Sequence, residues 1–124
     1  MTQDASILLI AQPGKLRESL QVLLAAISGN RPVLLASNWP VETISAREKP
    51  LVLVMLVLER GSLGTQATTL VTEIKSRLPQ ARLVVLVDTE QQQHAATFAG
   101  ADRVWFKGAL AAQMLVEIEM LINE

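Results

Sequence analysis

The chain has 124 residues, a formal net charge of -1 and no cysteine, and this length suits one domain with one core. The lack of cysteine excludes disulfides, thiolate metal sites and cysteine nucleophiles. The small net charge, without a basic stripe, argues against direct nucleic-acid binding. No apolar run approaches the roughly 20 residues of a membrane span, and no basic region precedes the first apolar run. We therefore expect a cytoplasmic protein whose single domain covers 1–124, with no cofactor and no metal.

Five short apolar runs have the pattern of strands that are buried on both faces. They lie at residues 6–10, 33–36, 51–58, 83–87 and 104–106. Helical spacing of apolar residues occurs between and after them at 15–28, 68–78, 89–99 and 109–122, and a shorter helix is expected after Ser37 through Ile44. Strands that alternate with helices predict a doubly wound parallel α/β sheet with right-handed crossovers and helices on both faces.

Three segments, taken in order, resemble the receiver domains of bacterial two-component systems over almost the whole chain. They are Leu-Arg-Glu-Ser-Leu at 16–20, the helix end and strand at 77–86, and Ala-Gly-Ala-Asp at 99–102 followed by Lys107 and Gly108. The greatest similarity is to receivers that precede a helix-turn-helix output domain. The resemblance implies a flavodoxin-like or CheY-like three-layer sandwich with five strands in the order 2-1-3-4-5. Any transcriptional role would then depend on an output domain in another chain.

In an active receiver of this family, the chemistry lies where the strands end. Two acidic residues after the first strand hold Mg²⁺, an acidic residue ending the third strand accepts the phosphoryl group, and a Ser or Thr and a Lys end the fourth and fifth strands. In this chain those positions fall, in the same order, on Ala11 and Gln12, on Met55 (or Leu56 if the alignment shifts by one), on Val87 and on Lys107.

Of these positions, only Lys107 keeps the side chain that the resemblance requires. Mg²⁺ needs hard oxygen ligands, and the phosphoryl acceptor must be a carboxylate, whereas the side chains of Ala11, Met55 and Val87 carry no oxygen. We therefore interpret the chain as a pseudo-receiver of two-component signalling. It is expected to be neither an enzyme nor phosphorylated, and to act as a module for protein interaction or dimerisation.

Lys107 is expected to pair with a new partner, for which Asp88 is the first candidate and Glu59 the second. The alternative is a solvated lysine, because exposed ion pairs add little stability. Two other functions stay open at this stage. Asp88 or Glu59 could serve as a non-standard phosphoacceptor, or Trp39 or Trp105 could border a pocket for a small ligand.

The last predicted helix carries more apolar side chains than one face against a sheet requires. Exposed apolar patches usually mark interfaces, so we expect this helix to contact a protein partner. Receivers commonly self-associate through this region, so the resemblance implies a symmetric homodimer as the first choice. The alternative is that the domain itself covers the helix more completely. The interface candidates are Leu110, Met114, Val116, Met120 and Leu121.

Neither the single histidine nor the glycine-containing loop indicates a catalytic or metal site. His94 lies in a glutamine-rich helix, and with one histidine and no cysteine in the chain a transition-metal site is not expected. The glycines at 61 and 64 follow a strand, but their spacing matches neither the dinucleotide fingerprint nor the phosphate-binding loop with its lysine. We expect a surface histidine and an ordinary loop.

Overall fold

The computed structural model describes residues 6–27, 31–39, 51–108 and 111–123. Within these ranges the chain forms five strands and four helices. In chain order they are β1 (Ser6–Ile10), α1 (Lys15–Ile27), β2 (Val33–Ala36), β3 (Leu51–Val57), α2 (Gly64–Arg77), β4 (Arg82–Val87), α3 (Glu90–Ala99), β5 (Arg103–Phe106) and α4 (Ala111–Asn123).

The five strands form one parallel sheet in the order β2-β1-β3-β4-β5, which confirms the predicted fold class and strand order. The strand order reverses at β1, since the chain first adds β2 on one side of β1 and then adds β3 on the other. All strands end at the same side of the sheet, which we call the carboxyl edge. In open sheets of this kind, ligands bind outside the carboxyl edge where the strand order reverses.

Helices cover both faces of the sheet, and alternate side chains of each strand enter two separate cores. The first core joins strand residues to α2 and α3, and includes Val54, Val85, Val71, Ile74 and Ala96. The second core joins the other strand faces to α1 and α4, and includes Leu9, Leu53, Leu24 and Ile118. These two cores on opposite faces make the three layers of the expected sandwich.

Helix α2 begins at Gly64, four residues before the predicted start at 68. The first turn lacks the apolar pattern on which that prediction depended, but its backbone is stabilised locally. The side-chain oxygen of Gln66 accepts a hydrogen bond from the backbone N–H of Leu63 at 2.7 Å, which satisfies one of the donors that a helix start leaves free. Ala67 is then fully buried against the sheet.

Helix α3 is defined at both ends by its local sequence. The Thr89 hydroxyl accepts a hydrogen bond from the backbone N–H of Gln92 at 3.1 Å and so caps the first turn. Gly100 ends the helix with φ of +111°, in the left-handed region that favours glycine. The expected helix after Ser37 falls mostly on residues 40–50, which lie outside the described residues.

Asp102 holds together the side of the sheet opposite the carboxyl edge. Its carboxylate accepts hydrogen bonds from the backbone N–H of Leu83 at 2.7 Å and from Lys75 Nζ at 3.0 Å, and it lies 3.6 Å from Arg82. Burial alone would raise the pKa of Asp102, but the Leu83 hydrogen bond and the charges of Lys75 and Arg82 together lower it below the usual aspartate value. The contacts join α2, β4 and β5.

Helix α4 exposes only some of the residues that were predicted to form an interface. Met114 and Leu121 are buried, at 6% and 3% exposure, because their stripe packs into the second core against α1 and the sheet. They are therefore core residues, and naming them as interface candidates was wrong. Val116 and Met120 lie on the outer side of α4 and are each 57% exposed. Leu110 lies outside the described residues.

No helix in the described part of the chain combines the length and apolar composition that crossing a membrane requires.

Candidate functional site at the carboxyl edge

The positions where the resemblance placed the acidic and hydroxyl side chains of an active receiver lie at or near the carboxyl edge. Ala11 is buried in the second core directly after β1, and Val87 is fully buried at the end of β4. The strand register pairs Met55 with Leu9 and Val84, two residues before β3 ends, and its side chain is fully buried. Met55 is therefore a core residue of the sheet.

Leu56, the alternative acceptor position, lies closer to the edge. It pairs with Ile10 of β1 and Val85 of β4, and its side chain belongs to the first core. It also forms part of the wall of a groove at this edge. Of the two alignments considered, the one that uses Leu56 thus reaches the site, and it places an aliphatic side chain there.

Gln12 connects the exits of β1 and β2. Its side-chain Nε2 donates to the backbone oxygen of Ser37 and to the Asn38 Oδ1, each at 3.1 Å. Where the resemblance expects an acidic metal ligand, the chain thus has an amide that donates hydrogen bonds. This arrangement fastens the loop after β2 to the loop after β1.

Lys107 forms an ion pair across the exits of β4 and β5. Its Nζ lies 2.7 Å from Asp88 Oδ2, and the two side chains are 22% and 20% exposed. The backbone N–H of Lys107 also donates to the oxygen of Val87 at 3.0 Å, which continues the β4–β5 ladder by one residue. Asp88, the partner named first from the sequence, is thus the residue that Lys107 contacts.

Glu59, the second candidate, is not brought to Lys107. It is exposed after β3, and β4 lies between β3 and β5 in the sheet. Within the described ranges, the Glu59 carboxylate has no hydrogen bond or ion pair. The two carboxylates that could serve as a non-standard phosphoacceptor therefore differ, since Asp88 is paired with a lysine and Glu59 is not.

Gln92 is a site residue that the sequence analysis missed. It is 1% exposed, and its side chain makes three hydrogen bonds. Its Oε1 accepts from the backbone N–H of Asp88 at 2.7 Å, while Nε2 donates to the backbone oxygens of Glu59 and Ser62 at 2.9 and 3.0 Å. The available signal was its spacing, because Gln92 precedes the buried Ala96 by four residues and so shares the inward face of α3.

A groove of about 710 Å³ opens at the carboxyl edge where the strand order reverses. Its apolar walls include Ile10, Leu56 and Leu58, and its polar walls come from the β2 exit, the β3 exit and the start of α2. Glu59 is the charged residue among the described lining residues, which include no lysine, arginine or histidine. The polar lining residues are Ser37, Asn38, Glu59, Ser62, Thr65, Gln66 and Thr69.

The two tryptophans occupy different faces of the sheet. Trp39 lines the groove, and its indole N–H donates to Glu73 Oε1 at 2.8 Å, which ties the β2 exit to α2. Trp105 packs against the second core on the α1 and α4 side. The structure thus places Trp39 at a pocket and Trp105 away from it.

Metal-binding groups are sparse in the described ranges. No cluster of three or more histidine, aspartate or glutamate side chains there could hold a metal ion. His94, in α3, is exposed.

Neither protein-family models nor curated protein sequences give a match to this chain. Solved structures do match it. The signal receiver domain of a DNA-binding response regulator (merR) from Colwellia psychrerythraea 34H superposes with a TM-score of 0.80 at 18% identity, covering 98% of this chain and all of that one. A response regulator from Thermotoga maritima gives 0.72 at 16% identity, covering 97% and 99% of the two chains.

A CheY-like protein (tadZ) from Pseudomonas aeruginosa PAO1 matches with a TM-score of 0.69 at 22% identity, covering 94% of this chain and 98% of that one. Each similarity extends over nearly the full length of both chains, and the strand order agrees with the receiver pattern. The chain therefore has the fold of a response-regulator receiver, or CheY-like, domain.

Proposed function

We propose that the chain is a receiver-type signalling module of a two-component system that acts through protein contacts and does not accept a phosphoryl group. The observation that carries this proposal is the set of side chains at the carboxyl edge. Lys107 is bound to Asp88, and the positions of the acidic cluster hold Ala11, Gln12 and Leu56. The structural neighbours, which are receivers, support the signalling role.

Among the described residues, the carboxyl edge lacks the groups that phosphoryl transfer needs. Mg²⁺ requires several hard oxygen ligands that converge on one point, and the acceptor must be a free carboxylate. The Asp88 carboxylate is already paired with the ammonium of Lys107, while Glu59 lies on the groove side of β3. A cation at either carboxylate would compete with that ion pair or would lack a second acidic ligand.

The test is an amide-resolved NMR titration with Mg²⁺ and then with Mg²⁺ plus beryllofluoride, which mimics a bound phosphoryl group. We expect no saturable shifts at Gln12, Leu56, Asp88 or Lys107 in a well-folded spectrum. Saturable shifts clustered at these residues would contradict the proposal. Their loss in Asp88→Asn would then identify Asp88 as the non-standard phosphoacceptor.

The outer face of α4 is the surface we propose for the protein contact. Val116 and Met120 are one turn apart and each is 57% exposed, whereas a helix that only covers a sheet needs no apolar residues on that side. A second copy of this chain is the first choice of partner. We expect sedimentation analysis to show a concentration-dependent dimer that Met120→Glu weakens.

Phe98, an apolar residue on α3 that is 89% exposed, offers the matched control. Phe98→Glu introduces the same charge on another helix and should leave the dimer intact. A protein that stays monomeric at its highest soluble concentration, or a dimer that is insensitive to Met120→Glu, would argue against this surface.

A second candidate function is the binding of a small ligand in the groove. Its position at the reversal of strand order, with an apolar floor and a rim of hydroxyl and amide groups, favours this alternative. The described lining has no cation, so an uncharged ligand fits better than a phosphate. Riboflavin is a suitable uncharged planar probe, and Trp105→Phe leaves Trp39 as the fluorescence reporter. Saturable quenching would support binding, and unchanged emission would count against it.

A further inference from the structure

The side chain of Gln92 links two strand exits, and the carboxylate of Asp88 extends this connection to a third. Its Nε2 donates to the backbone oxygens of Glu59 and Ser62 after β3, and its Oε1 accepts from the backbone N–H of Asp88 after β4. The carboxylate of Asp88 in turn accepts from Lys107 after β5. These hydrogen bonds, joined through residue Asp88, form a connected network from the β3 exit to the β5 exit.

This hydrogen-bonded network borders the groove along one side. Glu59 and Ser62, the acceptors of Gln92, also line the groove. On the other side, Gln12 fastens the β1 and β2 exits to each other. The groove thus lies between two groups of loops, each held together by the amide of one glutamine.

The burial of Gln92 makes its three hydrogen bonds interdependent. The side chain is 1% exposed, so solvent water does not reach it to replace a lost hydrogen-bond partner. Both N–H bonds of the amide are used, and moving the Glu59–Ser62 turn away would leave a buried NH₂ group without acceptors. In a dry environment, neighbouring hydrogen bonds also strengthen one another.

We propose that Gln92 is a positioning residue that couples the groove wall to the Lys107–Asp88 pair, so that the exits of β3, β4 and β5 move as one unit. A change at the groove wall then reaches the outer strand β5 through Gln92 and Asp88. This inference goes beyond the proposed function, and it holds whether or not the chain accepts a phosphoryl group.

The first test compares Gln92→Met with Gln91→Met by NMR hydrogen exchange. The Ser62 amide, which donates to the Glu59 oxygen, and the Asp88 amide report on the two ends of the link. In Gln92→Met we expect their protection to fall by about tenfold or more while amides of β1 keep theirs. The resonances of Lys107 should shift as well. Gln91 is exposed, so its substitution should leave all of these signals unchanged.

Two results of this first test would overturn the proposal. Unchanged protection at Ser62 would show that the turn is held without Gln92. An equal loss of protection at every amide, β1 included, would show that Gln92 only adds to global stability and does not couple these loops.

Gln92→Glu is the second variant, and it gives a readout that a purely structural role would not produce. Its oxygen can still accept from the Asp88 N–H, but an ionised carboxylate faces the two carbonyl oxygens that Nε2 now contacts. Burial and those two oxygens should both raise the pKa of the new carboxyl group. When protonated, the group can donate to one of the carbonyls and restore part of the link.

We therefore expect the protection factor of Ser62 in Gln92→Glu to be high at acidic pH and to fall as the pH rises through the raised pKa. The charged groups around the site are Glu59 on the β3 exit, Asp88 on the β4 exit and Lys107 on the β5 exit, and the wild-type chain contains all three. Its Ser62 protection, measured over the same pH range, is the control. Ser62 protection that does not change with pH in Gln92→Glu would overturn the proposal.

Discussion

The ion pair between Lys107 and Asp88 gives the most direct prediction about the carboxyl edge. Replacing Lys107 by methionine removes the ammonium group and keeps most of the apolar stem. Replacing Asp88 by asparagine removes the negative charge and keeps the shape. If the two side chains stabilise the fold through each other, the double variant should lose less stability than the sum of the two single variants.

The geometry sets the size of this coupling. The Nζ to Oδ2 distance is 2.7 Å, and about a fifth of each side chain is exposed. Fully exposed pairs contribute about 0.2–1 kcal/mol, while hydrogen bonds to charged groups contribute about 1.5–3 kcal/mol when protected from water. For this partly exposed pair we expect a coupling of about 1 kcal/mol and a loss of about 1–2 kcal/mol for each single variant.

The assay is urea unfolding of the four proteins at neutral pH and low salt, repeated in about 1 M NaCl. The coupling should decrease in high salt, since screening weakens a pair that is partly open to solvent. Single variants that add to the double variant within about 0.3 kcal/mol would refute the reasoning. Lys107 would then be a lysine that solvent satisfies equally well.

Three further predictions concern the rest of the fold. Asp102→Asn should lower the free energy of unfolding by about 1–3 kcal/mol at neutral pH. Because folding lowers the pKa of Asp102, this loss should be complete above about pH 4 and should shrink as the pH falls through the folded pKa. Urea unfolding at several pH values checks this. Gly100→Ala should destabilise the chain by about 1 kcal/mol or more because of its positive φ, whereas Gly108→Ala should be nearly neutral in the same thermal unfolding assay. Met114→Ala should cost about 2–4 kcal/mol and Met120→Ala less than about 0.5 kcal/mol; similar losses in denaturant unfolding would contradict the assignment of Met114 to the core and Met120 to the surface.

The order of apolar and polar residues was sufficient to predict the α/β architecture, because burial in the core determines which positions are apolar. A strand that is covered on both faces must be apolar, as is β3 throughout and β4 after its first residue, Arg82, and each intervening helix must present one apolar stripe. The absence of acidic residues from the receiver positions could also be seen in the sequence, since a side chain either carries a carboxylate or does not. Helix starts were less certain, as at Gly64, where a hydrogen bond from the backbone N–H of Leu63 to the Gln66 side chain stabilises a first turn that lacks apolar spacing.

Only the tertiary structure decided which polar residues form the site. Gln92 stands in a run of three glutamines that reads as solvated surface, yet its carbonyl acceptors come from a turn about 30 residues away. The assignment of Met114 to the core and the pairing of Lys107 with Asp88 depend in the same way on which elements meet. Hydrophobic periodicity is a local property that the sequence by itself determines. Hydrogen-bond partners and the burial of individual side chains depend on packing between distant segments, so the folded chain alone determines them.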